Sequence, residues 1–157
     1  MTPRDDRPGV LAPPPVLTAL CAAFGWLAHH YMPLFLLPDV AHLRIALSVP
    51  LFALFFVLAF AAVREFGRHK TSPSPNQPTS AIVTSGVFRH TRNPIYISFV
   101  VFILAFAVAA NSLWYAFAAA LLFLLLHYGV VKREERYLSR KFGAAYHQYC
   151  QQVRRWL

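Results

Sequence analysis

The side chains best placed to do chemistry fall in two stretches of an otherwise apolar chain. The first is Ser85-Gly86-Val87-Phe88-Arg89-His90-Thr91-Arg92-Asn93-Pro94-Ile95-Tyr96. The second opens with Lys132-Arg133-Glu134-Glu135 and continues with Leu138, Phe142, Tyr146, Tyr149 and Val153 at helical spacing, one apolar stripe on a charged helix. Adjacent carboxylates at the mouth of an apolar segment are unfavourable beside an anionic membrane surface. Glu134 and Glu135 therefore point to a bound cation or to an internal arginine partner. His127 lies within an apolar run and reads as an interhelical hydrogen-bond donor. His29, His30 and His42 form no metal-ligand pattern, so no metal is expected. Cys21 and Cys150 lie far apart and read as free thiols.

The elements that must position these residues follow from where charge is missing. Of 157 residues, 57% are hydrophobic and 13% charged, which excludes intrinsic disorder and weighs against an ordinary soluble domain. No charged side chain occurs in residues 8–38, 45–63 or 93–131. A helix crossing the hydrocarbon core needs about 20 apolar residues. The last run would extend about 58 Å as one helix, so it must fold back, and Asn111-Ser112 is its only polar break. The expectation is an all-α membrane helical bundle forming a single domain over 1–157. Four spans at 15–31, 43–63, 94–110 and 113–131 are followed by one amphipathic cytoplasmic helix. Pro50 should kink the second span. The first apolar segment is expected to remain as an anchor, because Arg4, Asp5, Asp6 and Arg7 balance and Pro13-Pro14-Pro15 follows.

The net charge of +9 then acquires a location. Residues 1–7 and 31–44 each sum to zero, whereas residues 64–92 supply +4 and residues 132–157 supply +5. All of the surplus falls on one side of a four-span arrangement. The positive-inside rule makes that side cytoplasmic, with both termini inside and segments 64–93 and 132–157 facing the cytosol. Frequent Ala, Leu and Arg suggest a bacterial inner membrane. Basic residues at the ends of spans need no nucleic-acid partner, and none is expected.

Taken together, S-G-x-F-R-x-x-R-N-P-x-Y at 85–96 and E-E-x-x-L-x-x-x-F-G-x-x-Y-x-x-Y-x-x-x-V at 134–153 resemble the isoprenylcysteine carboxyl methyltransferase and phospholipid methyltransferase superfamily. The resemblance covers about residues 64–157. The carboxyl methyltransferases usually carry R-H-P-x-Y where this chain has Arg92-Asn93-Pro94-Ile95-Tyr96. The family often ends V-P-R-W where this chain has Val153-Arg154-Arg155-Trp156. The first departure bears on the acceptor subclass, the second on how the tail ends.

The resemblance implies methyl transfer from S-adenosylmethionine to a lipid or hydrophobic small molecule bearing a carboxylate or an amine. It makes Arg92 and Glu134 the catalytic candidates. Gly86, Val87, His90, Arg92, Asn93, Tyr96, Glu134, Glu135 and Tyr146 become the cofactor-binding candidates. Arg92 would grip a carboxylate through its fork, and Glu134 and Glu135 would accept from an ammonium or from ribose hydroxyls. Tyr96, Tyr146 and Tyr149 would offer ring faces to a cation or an adenine. Gly86 would let backbone approach the ligand, and Pro94 would fix the entry to the third span. A carboxylate acceptor needs no base. An amine acceptor would draw on His90, His127 or a glutamate. Two other readings share the composition: an NADPH-dependent reductase akin to sterol reductases, and a non-catalytic module binding anionic lipid.

Overall fold

Proline decides where the chain first becomes helical. Helix α1 (Pro14–Tyr31) begins with prolines in its first turn, where a missing N–H costs nothing, and it ends before Pro33. Thr18 Oγ1 donates to the Pro14 carbonyl at 2.9 Å and closes that turn. The computed structural model describes residues 8–38, 40–72 and 79–157, and no strand occurs among them. Helix α2 (Ala41–Arg68) runs 28 residues as one helix through Pro50 and past the expected end of the span, carrying Glu65 and Arg68 on its last turns. Helix α3 (Pro94–Ala109) again starts on a proline. Helix α4 (Leu113–Leu126) passes through a π-helical turn (His127–Val131) directly into α5 (Lys132–Phe142), and α6 (Ala144–Gln152) follows.

The fold-back expected at Asn111-Ser112 is present, and Asn111 does more than interrupt an apolar run. Its φ of 48° turns the chain in the left-handed region, which asparagine tolerates better than most residues. Its buried amide accepts from the N–H groups of Leu36 and Leu37 at 3.1 and 2.7 Å and donates to the Leu37 carbonyl at 3.0 Å. One side chain thus ties the α1–α2 connection to the α3–α4 turn. Leu113 N donates to Leu34 O at 2.9 Å, and Trp114 Nε1 donates to Met32 O at 2.6 Å.

The helices pack in the order α1, α4, α3, α2, so the two most apolar helices are central and the first two flank them. Ile103, Ala118, Leu122, Leu126, Val130 and Val131 are fully enclosed between them. Small residues let the backbones approach: Ala105, Ala107, Ala118 and Ala119 are all buried. A Cβ on Gly25 would lie 2.7 Å from the Tyr115 ring, so this glycine is what admits that ring between α1 and α4. Phe52 and Phe55 of α2 meet Phe102 and Phe106 of α3 with centroids 4.7 to 6.1 Å apart. The outer face of α2 leaves Phe56, Val57 and Phe60 exposed. Among the described residues two helices, Ala41–Arg68 and the continuous Leu113–Phe142, are long and apolar enough to cross a membrane; α3 is apolar but has 16 residues.

The tail is not the single amphipathic helix expected from its stripe. Gly143 adopts φ 51° and ψ −124°, a conformation that L side chains rarely take, and it breaks the segment into α5 and α6. The stripe still forms one cluster. Tyr146, Tyr149 and Val153 pack with Leu138, Phe142, Cys150 and Ile82, and Ser139 Oγ contacts His147 Nε2 across the break.

Candidate active site

Residues 79–93 reach the bundle through the last turns of α2. Ser85 donates its hydroxyl to Glu65, whose other oxygen accepts from Arg68 Nη1 at 2.8 Å, and Ser85 Oγ also lies 2.9 Å from His69 Nε2. The Ser85 hydrogen bond and the neighbouring cations hold the buried Glu65 carboxyl below its ordinary range. Gly86 has φ 57°, and a Cβ there would fall 2.7 Å from the Glu65 carboxyl carbon. The glycine is therefore required by this carboxylate. A 3-10 turn (Gly86–Arg89) follows, with Phe88 buried against Phe66 and its carbonyl accepting from Tyr149 OH at 2.7 Å.

The second anchor is the chain's end. Arg92 N donates to Arg154 O at 3.0 Å, while Thr91 Oγ1 and Asn93 Nδ2 both donate to Arg155 O, at 3.3 and 2.9 Å. Arg155 grips Glu135 through both arms of its fork, Nε to Oε1 at 2.9 Å and Nη2 to Oε2 at 2.7 Å. Arg92 Nη2 approaches the same carboxylate at 3.3 Å. Its Nη1 contacts Cys150 Sγ, and its Nε is buried with no hydrogen-bond partner among the described residues. Trp156 closes the tail by donating to His127 Nδ1 at 3.2 Å and packing its ring, tilted by 48°, against Phe123 with centroids 4.9 Å apart. The tail departure at Val153-Arg154-Arg155-Trp156 thus bears on the site as well as on how the chain ends.

Glu134 faces the other way. Tyr96 OH donates to its Oε1 at 2.7 Å, linking the first turn of α3 to the first turn of α5. A cavity opens beside this pair, lined by Arg92, Asn93, Tyr96, Glu134, Glu135, Tyr146 and Tyr149 together with apolar Phe66, Ile82, Val83, Phe88, Ile95 and Leu138. Burial pushes the Glu134 carboxyl up to about 7 against the lowering effect of the Tyr96 hydrogen bond, and the Glu135 charge adds to the rise. Burial also raises the phenols of Tyr146 and Tyr149, so both remain protonated donors. One carboxylate is neutralised by two guanidinium groups, while its neighbour is poised to exchange a proton near neutrality.

Six of the nine expected cofactor-binding residues line this cavity: Arg92, Asn93, Tyr96, Glu134, Glu135 and Tyr146. Gly86, Val87 and His90 do not; Gly86 and Val87 sit on the 3-10 turn and His90 directly follows it, with Gly86 and His90 exposed. His127 belongs to the Trp156 contact. Arg155, Thr91 and the Glu65–Ser85 pair were not among the expected residues. Arg155 and Trp156 stand where the related V-P-R-W ending has its arginine and tryptophan, which is the signal that marks them. The Glu65–Ser85 pair carries no motif.

An all-helical bundle with span-length apolar helices, and a cavity that mixes paired carboxylates, an arginine and tyrosines at one end, describes a membrane-associated enzyme. The phospholipid methyltransferase family model matches residues 43–145, more than half of the chain, and the chain belongs to that family. Membership places it among membrane methyltransferases. No curated protein and no solved structure matches it.

Proposed function

We propose that the protein transfers a methyl group from S-adenosylmethionine to a lipid or hydrophobic acceptor at the cytoplasmic membrane face. The observation that carries this reading is the shared cavity of Arg92, Tyr96, Glu134, Glu135 and Tyr146 at the basic end of α3 and α5. Its groups fit the cofactor's chemistry: the Arg92 guanidinium, whose buried Nε has no partner among the described residues, for a carboxylate, a carboxylate for a cation, and tyrosine faces for a sulfonium or an adenine. When bound, S-adenosylmethionine supplies an electrophilic methyl group for in-line displacement.

The chain's own residues orient the partners and manage the proton. Arg92, already aligned by Glu135, holds a carboxylate. Asn93, Tyr146 and Tyr149 line the walls and exclude water, strengthening each polar contact. Gly86, Val87 and His90 act through the turn that places Phe88 and Arg92. With an amine acceptor, Glu134 takes the proton while Tyr96 OH steadies its Oε1; with a carboxylate acceptor no base is required. In this reading the chain is one domain of 1–157 with spans at 15–31, 43–63, 94–110 and 113–131, and both termini are cytoplasmic.

Titration of the detergent-solubilised protein with S-adenosylmethionine and with NADPH tests the reading. Saturable binding of the former only, weakened by Arg92→Ala and by Glu134→Ala, is expected. Absence of S-adenosylmethionine binding, or equal binding by the double variant, would overturn it.

A further inference from the structure

The π-helical turn at His127–Val131 separates the apolar rod of α4 from the acidic start of α5. A π turn takes up one residue more than an α turn. Everything after it is therefore rotated by about 100° relative to an uninterrupted helix. That rotation determines whether Glu134 meets Tyr96. Such turns are rare inside α-helices, and a contact from outside the helix would favour this one.

A short arm preceding α1 makes that contact. Leu11 N donates to the Gly129 carbonyl, within the π turn, at 2.9 Å. The Leu11 side chain lies over Gly129, where an added Cβ would come 3.1 Å from Leu11 Cβ and Cδ2. Arg133 Nη1, just past the turn, donates to Gly9 O at 2.8 Å. Pro8, at the near end of the arm, lines the same cavity as Glu134 and Arg92. The arm lies outside residues 43–145, the part of the chain the family model matches.

We propose that the arm of residues 8–13 is a positioning element. Docked on Gly129, it holds the π turn in the register that presents Glu134 to Tyr96, and it supplies one wall of the cavity. Its effect on ligand binding rests on the methyltransferase reading, but its effect on the helix does not. Leu11, Gly129 and Arg133 act through Glu134 and touch no reacting atom. The arm thereby makes the site sensitive to a segment remote from both motif blocks.

Three variants and two readouts test this. Gly129→Ala inserts a methyl group against Leu11, Leu11→Pro removes the donor without altering α4, and Leu11→Gly with Gly129→Ala restores the space. Hydrogen exchange over residues 127–136 is read by mass spectrometry, and S-adenosylmethionine affinity by titration. Alanine alone favours helix over glycine and would slow exchange. A positioning arm instead gives faster exchange and about tenfold weaker binding in both single variants, on the scale of a hydrogen bond and its packing. The Leu11→Gly/Gly129→Ala pair should restore both. Unchanged or slower exchange in Gly129→Ala and Leu11→Pro, or failure of the pair to restore it, would overturn the arm's role. Absence of binding by the unaltered protein would count against the methyltransferase reading, and exchange would still decide the arm.

Discussion

Tyr96 and Glu134, 38 positions apart in the chain, meet at 2.7 Å, hydroxyl to carboxylate, at the polar end of the bundle. The contact joins the first turn of the third apolar helix to the first turn of α5, where the charged tail begins. Burial of the same carboxyl, acting against this hydrogen bond, raises its proton affinity to near neutrality.

That affinity has a sign in solution. Because the folded carboxyl sits at about 7, above its ordinary value, Glu134 favours the folded state below about pH 4.5, and this contribution is lost as pH rises through 7. Glu134→Gln should flatten that part of the melting-temperature profile between pH 4.5 and 7. With an amine acceptor, methylation by the unaltered protein should rise through the same window and that by Glu134→Gln should not.

Arg155 links the chain's end to Glu135 by a two-armed pair that lysine cannot reproduce. Its side chain is 37% exposed, so the loss is discounted for solvent screening to about 1 kcal/mol for Arg155→Lys. Thermal unfolding in detergent should show a modest drop, and cofactor titration a larger one for Arg155→Ala, because Arg92 then holds Glu135 alone.

Gly86→Ala places a methyl group 2.7 Å from the Glu65 carboxyl carbon at a φ of 57°. A cost of about 1–3 kcal/mol is expected. Adding Glu65→Ala should recover part of it, since the collision disappears while the backbone strain remains. A double-mutant cycle read by thermal unfolding decides between collision and strain.

Asn111→Ala strips three hydrogen bonds from a buried turn and leaves the Leu36 and Leu37 amides without their acceptor. A destabilisation of about 2–3 kcal/mol should follow, and Asn111→Gly, which keeps the backbone relaxed, should recover only a fraction. Thermal unfolding of the two variants measures both effects.

Topology gives an independent check. In a background lacking Cys21 and Cys150, Phe35→Cys should react with an impermeant reagent only from outside and His147→Cys only from the cytoplasm. Both residues are exposed. Labelling of His147→Cys from outside would contradict the four-span arrangement.

The apolar runs, the hairpin at Asn111 and the two motif blocks were legible in the sequence because each depends on neighbours in the chain. Uncharged length dictates helices, and a left-handed asparagine dictates a turn. The pairing of Glu135 was also half legible: adjacent acids demanded a cation or an arginine. Which arginine was decided only by folding, when the chain's end was brought against residues 91–93 and Arg155 arrived beside Arg92. The break at Gly143, the Glu65 carboxylate behind Gly86 and the arm over Gly129 are likewise decided in space. A glycine shows in sequence that a side chain is missing. Only the packed structure shows what has taken its place.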